Sequence, residues 1–161
     1  MNYANLAQKT NYIAGSDKFE QLPFYLTNVN IPGISLVHPE IGGRDSTRVF
    51  LSGDTLNWNS LSLEMLIDED FTIYQELMKI INTNVILKNG TFKDFYFDFW
   101  IELSNNKGNK VMKLEFTNCR ITSIGDIQLD SQDDTTEHVL PLEMIYDYYE
   151  MEPVKRYIER K

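Results

Sequence analysis

Four stretches of the chain alternate apolar and polar residues with a period of two. Leu61, Leu63, Met65 and Ile67 fall on one face, with Ser62 and Glu64 on the other. Phe95, Phe97, Phe99, Ile101 and Leu103 share a face, opposite Asp94, Tyr96, Asp98, Trp100 and Glu102. Met112, Leu114 and Phe116 alternate with Lys113 and Glu115. Leu140, Leu142, Met144, Tyr146 and Tyr148 alternate with Glu143 and Asp147. Side chains of a strand point to opposite faces in turn, so each stretch reads as a strand with one buried and one wet side. A large side chain contributes roughly 1.5–3 kcal/mol when fully buried, so four such faces can hold a sandwich or small barrel together.

One segment keeps a different rhythm. In "DEDFTIYQELMKIINTN", Phe71, Tyr74, Leu77 or Met78, and Ile81 recur at helical spacing, and Asp68 or Asp70 can cap the N-terminus. "SNNKGNK", Ser104 to Lys110, is a turn between two of the strands. The order is arm, strand, long hairpin, strand, one helix, then three or four strands. That is a mainly β (α+β) domain, a sandwich or barrel with one flanking helix. Residues 1–20 are weakly patterned and are expected as a loose arm or short helix. Residues 21–152 form the β domain, and residues 153–161 form a basic tail.

Between the first two strands lies "NIPGISLVHPEIGGRDSTRVFLSGD". Tyr25, Val29 and Ile31 fit a first strand that ends at Pro32-Gly33. Ile34–Val37 and Arg48–Leu51 are expected as the legs of a protruding hairpin with Pro39–Thr47 at its tip. Pro39 has no amide hydrogen for a ladder and marks an edge or an exit from a sheet.

Charge narrows the function classes. The chain has 161 residues, 24 acids against 15 bases, and a net charge of −9. That balance argues against wrapping a nucleic acid backbone, which needs clustered Lys and Arg. The acids gather at Asp68–Asp70 and between Gly125 and Glu137, whereas Lys155, Arg156, Arg160 and Lys161 reverse the sign at the C-terminus. No apolar run approaches the roughly 18 residues of a membrane span. The single cysteine, Cys119, rules out an internal disulfide.

Catalytic constellations are sparse. One cysteine and two scattered histidines, His38 and His138, give no metal-ligand spacing. Nothing flanking Cys119 suggests an activated thiolate for a Cys119–His138 pair. "LSGDTL" lacks the Gly-Lys-Ser/Thr of a phosphate loop, and "DSQDDTTE" lacks the central glycine of a calcium loop. Carboxylates such as Asp94, Asp98, Glu143 and Asp147 could serve acid–base chemistry, but strand alternation alone puts them on polar faces. Tyr96, Trp100 and Tyr149 are expected on outward faces, where aromatics often mark protein interfaces. The expectation is no enzyme and no cofactor or metal.

The stretch from Lys110 to Glu150 resembles the last part of the tail tube proteins of contractile-tailed bacteriophages. A strand is followed by Gly125-Asp126-Ile127-Gln128-Leu129-Asp130, an acidic turn at Asp133-Asp134-Thr135-Thr136, and an alternating final strand from Leu140 to Tyr149. "VNIPGI", the long hairpin and "FLSGDTLNWNSLSLEMLIDED" resemble the first half of that family. The resemblance implies a β-sandwich/barrel of the tail tube type, shared by tube initiators and terminators. It implies a hexameric ring, closed edge to edge around a DNA-conducting lumen, in a phage virion assembled in the host cytoplasm. Its partners would be identical copies and other tube, baseplate or sheath proteins. DNA would only pass through, and no membrane is involved. The hairpin residues Pro39, Glu40, Arg44, Asp45 and Arg48 would reach a neighbouring subunit or ring. Asp94, Asp98, Glu102, Glu143 and Asp147 are candidates for the lumen wall. A small β-sandwich adaptor or baseplate module that forms no ring is the alternative.

Overall fold

The computed structural model describes residues 8–20, 22–42, 48–53, 55–86, 95–127, 129 and 137–153. The main sheet has seven strands. They are β1 (Tyr12–Ser16), β2 (Leu26–Asn30), β7 (Leu61–Leu66), β8 (Phe97–Ser104), β9 (Lys110–Ile124), β10 (Val139–Ile145) and β11 (Tyr148–Pro153). Two small sheets complete the inventory of the described residues: β3 (Ile34–Val37) with β6 (Thr55–Trp58), and β4 (Glu40–Gly42) with β5 (Arg48–Phe50). All pairings are antiparallel.

The long strand β9 belongs to two layers. Its first half lies between β8 and β11, giving the order β1-β8-β9-β11. Its second half pairs with β10, giving the order β9-β10-β7-β2. Phe97, Phe99, Ile101, Leu114 and Phe116 of the first layer form one core with Leu61, Leu63, Met65, Leu140, Leu142 and Met144 of the second. Every one of these eleven is at a position the alternation assigned to the buried face. That agreement follows from the pleat, which leaves no other way to bury a period-two pattern.

The bend of β9 falls at Asn118, which adopts a left-handed conformation with φ of 55°. The register shifts here, Phe97 opposing Cys119 but Phe99 opposing Phe116, so β9 carries one extra residue. Such a bulge turns a strand and re-aims its side chains. The partner chain breaks at the same level, between β10 and β11. This corrects one expectation. Tyr148 is exposed, whereas Tyr149 turns inward and stacks 5.1 Å from Phe116. The step from inward Tyr146 to inward Tyr149 is three residues, because the bend resets the alternation.

Three more expectations are corrected. Tyr12–Ser16, expected as loose arm or short helix, is an edge strand on β8. Gly15 within it lets the Trp100 indole pack against the backbone; an added Cβ would meet the indole at 2.6 Å. Tyr25 ends a short helix, α1 (Leu22–Tyr25), instead of opening the first strand. Helix α2 (Thr72–Ile81) buries Ile73 and Leu77, a face rotated from the one built on Phe71 and Tyr74. Asp68 does cap it: its Oδ2 accepts the Thr72 amide at 3.0 Å and its Oδ1 the Ile73 amide at 3.4 Å. A π-helical turn, Asn82–Ile86, follows α2.

Candidate assembly interface

The protruding arm is longer at its base than the sequence suggested. Ile34–Val37 pair with Thr55–Trp58, whereas Arg48–Phe50 pair with Glu40–Gly42. The legs expected to face each other, Ile34–Val37 and Arg48–Leu51, therefore do not. The reason lies at the joint. Between the two ladders the spacing is unequal: two residues of sequence separate Val37 from Glu40, but four separate Phe50 from Thr55. Pro39 offers only its carbonyl, which accepts the Leu51 amide at 3.1 Å. Gly53 passes so close to Val37 that a Cβ would lie 1.9 Å from the Val37 carbonyl oxygen. His38 Nδ1 sits 3.2 Å from the Leu51 carbonyl and 3.3 Å from the Gly53 amide, and its tautomer selects which one it bonds.

One face of the β3–β6 ribbon is apolar. Ile34 lies opposite Trp58, and Leu36 lies opposite Leu56. Trp58 roots the ribbon, with edge-on contacts to Tyr149 at 5.0 Å and Tyr146 at 6.3 Å. Tyr146 in turn meets Phe116 at 5.0 Å. Its hydroxyl is buried without a hydrogen-bond partner among the described residues, and burial pushes its pKa up to about 12. Beyond this root the apolar face is uncovered: Leu36 is 51% and Leu56 50% exposed. Val37, Leu51 and Ile31 are also exposed. A two-stranded ribbon is at best marginally stable alone, so a ribbon that shows its apolar face to water calls for a partner.

The expected hairpin residues fall along this arm. Pro39 and Glu40 are exposed. Arg48 opens β5, paired with Gly42. Arg44 and Asp45 lie outside the described residues. The sequence reading placed Leu36 in the first leg of the arm but missed Trp58, Leu56 and the apolar face they form with it. Their signal was the apolar alternation within "ISLV", which was read only as a hairpin leg, and within "TLNW", which is too short to register as a strand.

The candidate wall acids separate. Asp98 and Asp147 meet at the β9 bend: Asp98 Oδ1 accepts the Asn118 amide at 3.1 Å, and Asn118 donates its side-chain amide to Asp147 at 2.8 Å. Arg120 adds an ion pair to Asp147 at 3.0 Å and lies over the Tyr96 ring. Glu102 pairs with Lys110 on the outward face of the first layer. Glu143 stands exposed on β10 in the second layer, between Ser62 and Ser123. Asp94 lies outside the described residues. Cys119 is fully buried, and burial together with Asp98 pushes its thiol up to about 12, the opposite of an activated nucleophile. Among the described residues no cluster of His, Cys, Asp or Glu could hold a metal ion.

A two-layer antiparallel fold with a bent shared strand, one flanking helix and a long standing arm is the tail tube-like fold. Solved structures bear this out. A chain of the tube-terminating cap of the anti-feeding prophage matches with a TM-score of 0.70 and 16% identity, over 96% of this chain and 95% of that one. A chain of the sheath-tube complex of an extracellular contractile injection system, PVC, matches at 0.68 and 17%, over 92% and 93%. Hcp1 from Flavobacterium johnsoniae matches at 0.51 and 13%, over 87% and 93%. No protein-family model matches the chain, and no curated protein matches it significantly.

Proposed function

We propose that the chain is a structural subunit of a contractile-tail tube, or of a ring that caps one, and that it performs no catalysis. In this reading six copies form a ring around a lumen that conducts DNA in a phage tail. Sheath, baseplate and other tube proteins are its neighbours. The observation that carries the proposal is the arm: a ribbon rooted on Trp58 whose Leu36–Leu56 face has no cover within the described chain. The fold of the matched cap and sheath-tube chains supports it. A heterologous contact repeated by rotation closes a ring. The net charge of −9 suits a conduit that must not retain a polyanion. Glu143 is a wall acid in this reading, with Asp98, Glu102 and Asp147 the other candidates that the described residues include.

The test substitutes Leu36→Asp together with Leu56→Asp and measures mass by size-exclusion chromatography with light scattering. The expected outcome is a ring-sized species for the parent chain and a folded monomer for the variant. Assembly unaffected by both charges would contradict the role given to the arm.

A further inference from the structure

At the joint of the arm a side chain takes over where the ladder bonds stop. The β3–β6 ladder ends at Val37 opposite Thr55, and the β4–β5 ladder starts at Glu40 opposite Phe50. Between them the Pro39 carbonyl accepts the Leu51 amide, and proline has no amide to return. Two further backbone groups, the Leu51 carbonyl and the Gly53 amide, converge on His38 Nδ1 at 3.2 and 3.3 Å. One is an acceptor and the other a donor, so a single ring nitrogen satisfies only one at a time. Unprotonated, Nδ1 accepts the Gly53 amide and turns its lone pair on the Leu51 carbonyl. Protonated, it donates to that carbonyl and sets its hydrogen against that of the Gly53 amide. Gly53 has little room to yield, since an added Cβ would lie 1.9 Å from the Val37 carbonyl oxygen and 2.7 Å from the carbonyl carbon. A change of bond therefore moves the 51–53 segment, and with it the β4–β5 ladder that the segment carries.

Imidazole is the side chain that ordinarily changes charge between about pH 5 and 8, and His38 is exposed to solvent. The other charged residues of the described arm are Glu40, in the first pair of the β4–β5 ladder, and Arg48, in its last. Arg44, Asp45 and Asp54 lie outside the described residues. The phenols of the body, Tyr146 and Tyr149, meet Trp58 at the end of β6 away from the joint. We propose that His38 is a pH-sensitive latch between the two halves of the arm. Its neutral ring bonds the Gly53 amide and fixes the direction of β4–β5 relative to β3–β6. Protonation moves the bond to the Leu51 carbonyl and re-aims the tip. The consequence for assembly rests on the reading of the arm as the contact surface: an arm aimed for its neighbour at neutral pH is released from it in acid.

The test follows the full chain at about pH 8 and about pH 5, either side of the imidazole's ordinary range. Magic-angle-spinning NMR with nitrogen-15 in histidine and glycine reads the latch in single copies and assemblies alike. Two histidines are present, and Ser52–Gly53 is the one Ser–Gly pair of the sequence, so carbon-13 in serine carbonyls picks out the Gly53 amide. The expected result is an Nδ1 of His38 that is bare at the higher pH and protonated at the lower, with the Gly53 amide signal shifting in step. In His38→Asn, whose side-chain oxygen is an acceptor that takes no proton, the Gly53 signal is expected to stay put. An Nδ1 protonated at both pH values, or a Gly53 signal that ignores the titration, overturns the latch. Light scattering on the same samples reads assembly. The parent is expected to lose most of its ring-sized species in acid and His38→Asn to keep it, which also controls for titration of His138. Rings that persist equally in both, with Gly53 shifting, overturn the coupling to assembly. Chains that form no ring at either pH overturn the assembly reading, while the NMR signals still decide the latch.

Discussion

Asp68 shows how a single carboxylate ties stability to pH. Its bonds to Thr72, the side-chain bond first, hold its pKa below the ordinary value. A depressed carboxylate stabilises the fold above its unfolded pKa of about 3.9, and that contribution is lost as pH falls through the folded value. Acid titration of the parent and of Asp68→Ala, followed by circular dichroism, is expected to show the two stabilities converging below about pH 4; a constant gap would refute the cap. Asn118 makes a second residue-scale case. It combines positive φ with a bond to Asp147. Asn118→Gly keeps the conformation and loses the bond, whereas Asn118→Ala loses both. Alanine is expected to cost about 1–2 kcal/mol more than glycine in urea unfolding. Equal costs would mean that the bend does not need a left-handed residue. Gly53→Ala is expected to disrupt the arm, because the Val37 carbonyl occupies the place of the new methyl. Loss of the amide chemical-shift signature of β3 and β6, with the main sheet intact, is the readout.

At the scale of elements, the legible parts were those with a long alternation and a single buried face. β7, β8, β9 and β10 follow from their periodicity, since burial on one face fixes which residues point inward. Elements that obey a non-local constraint were not legible. β1 is short and holds Gly15, whose meaning is clear only with Trp100 lying on it. The phase of Tyr148 and Tyr149 depends on a bend imposed by the partner strand. The pairing within the arm depends on a joint where Gly53 passes against the Val37 carbonyl and the Pro39 carbonyl accepts the Leu51 amide. The candidate acids show the same limit: alternation placed them on polar faces but could not say which layer each face belongs to. Trp58 connects the arm to the body, so Trp58→Ala tests whether the two are one unit. Its half-buried indole meets Tyr146 and Tyr149. Removal is expected to cost about 2 kcal/mol, below the 3–5 of a fully buried aromatic. A denaturant midpoint that does not move would show the arm to be energetically independent.

For the whole molecule, the two layers share one core but leave borders and an apolar ribbon without a partner among the described residues. Strand borders without charge or proline, and ribbons that expose leucine, are aggregation hazards in a monomer and assets in a closed ring. A stable contact buries more than about 1,000 Å², and the arm is the surface proposed to supply it. Electron microscopy of the purified chain at high concentration tests this most directly. The account predicts class averages of rings with a central hole, six-fold in projection, alone or stacked. Isolated compact particles of single-chain size, with the arm folded onto its own body, would contradict it.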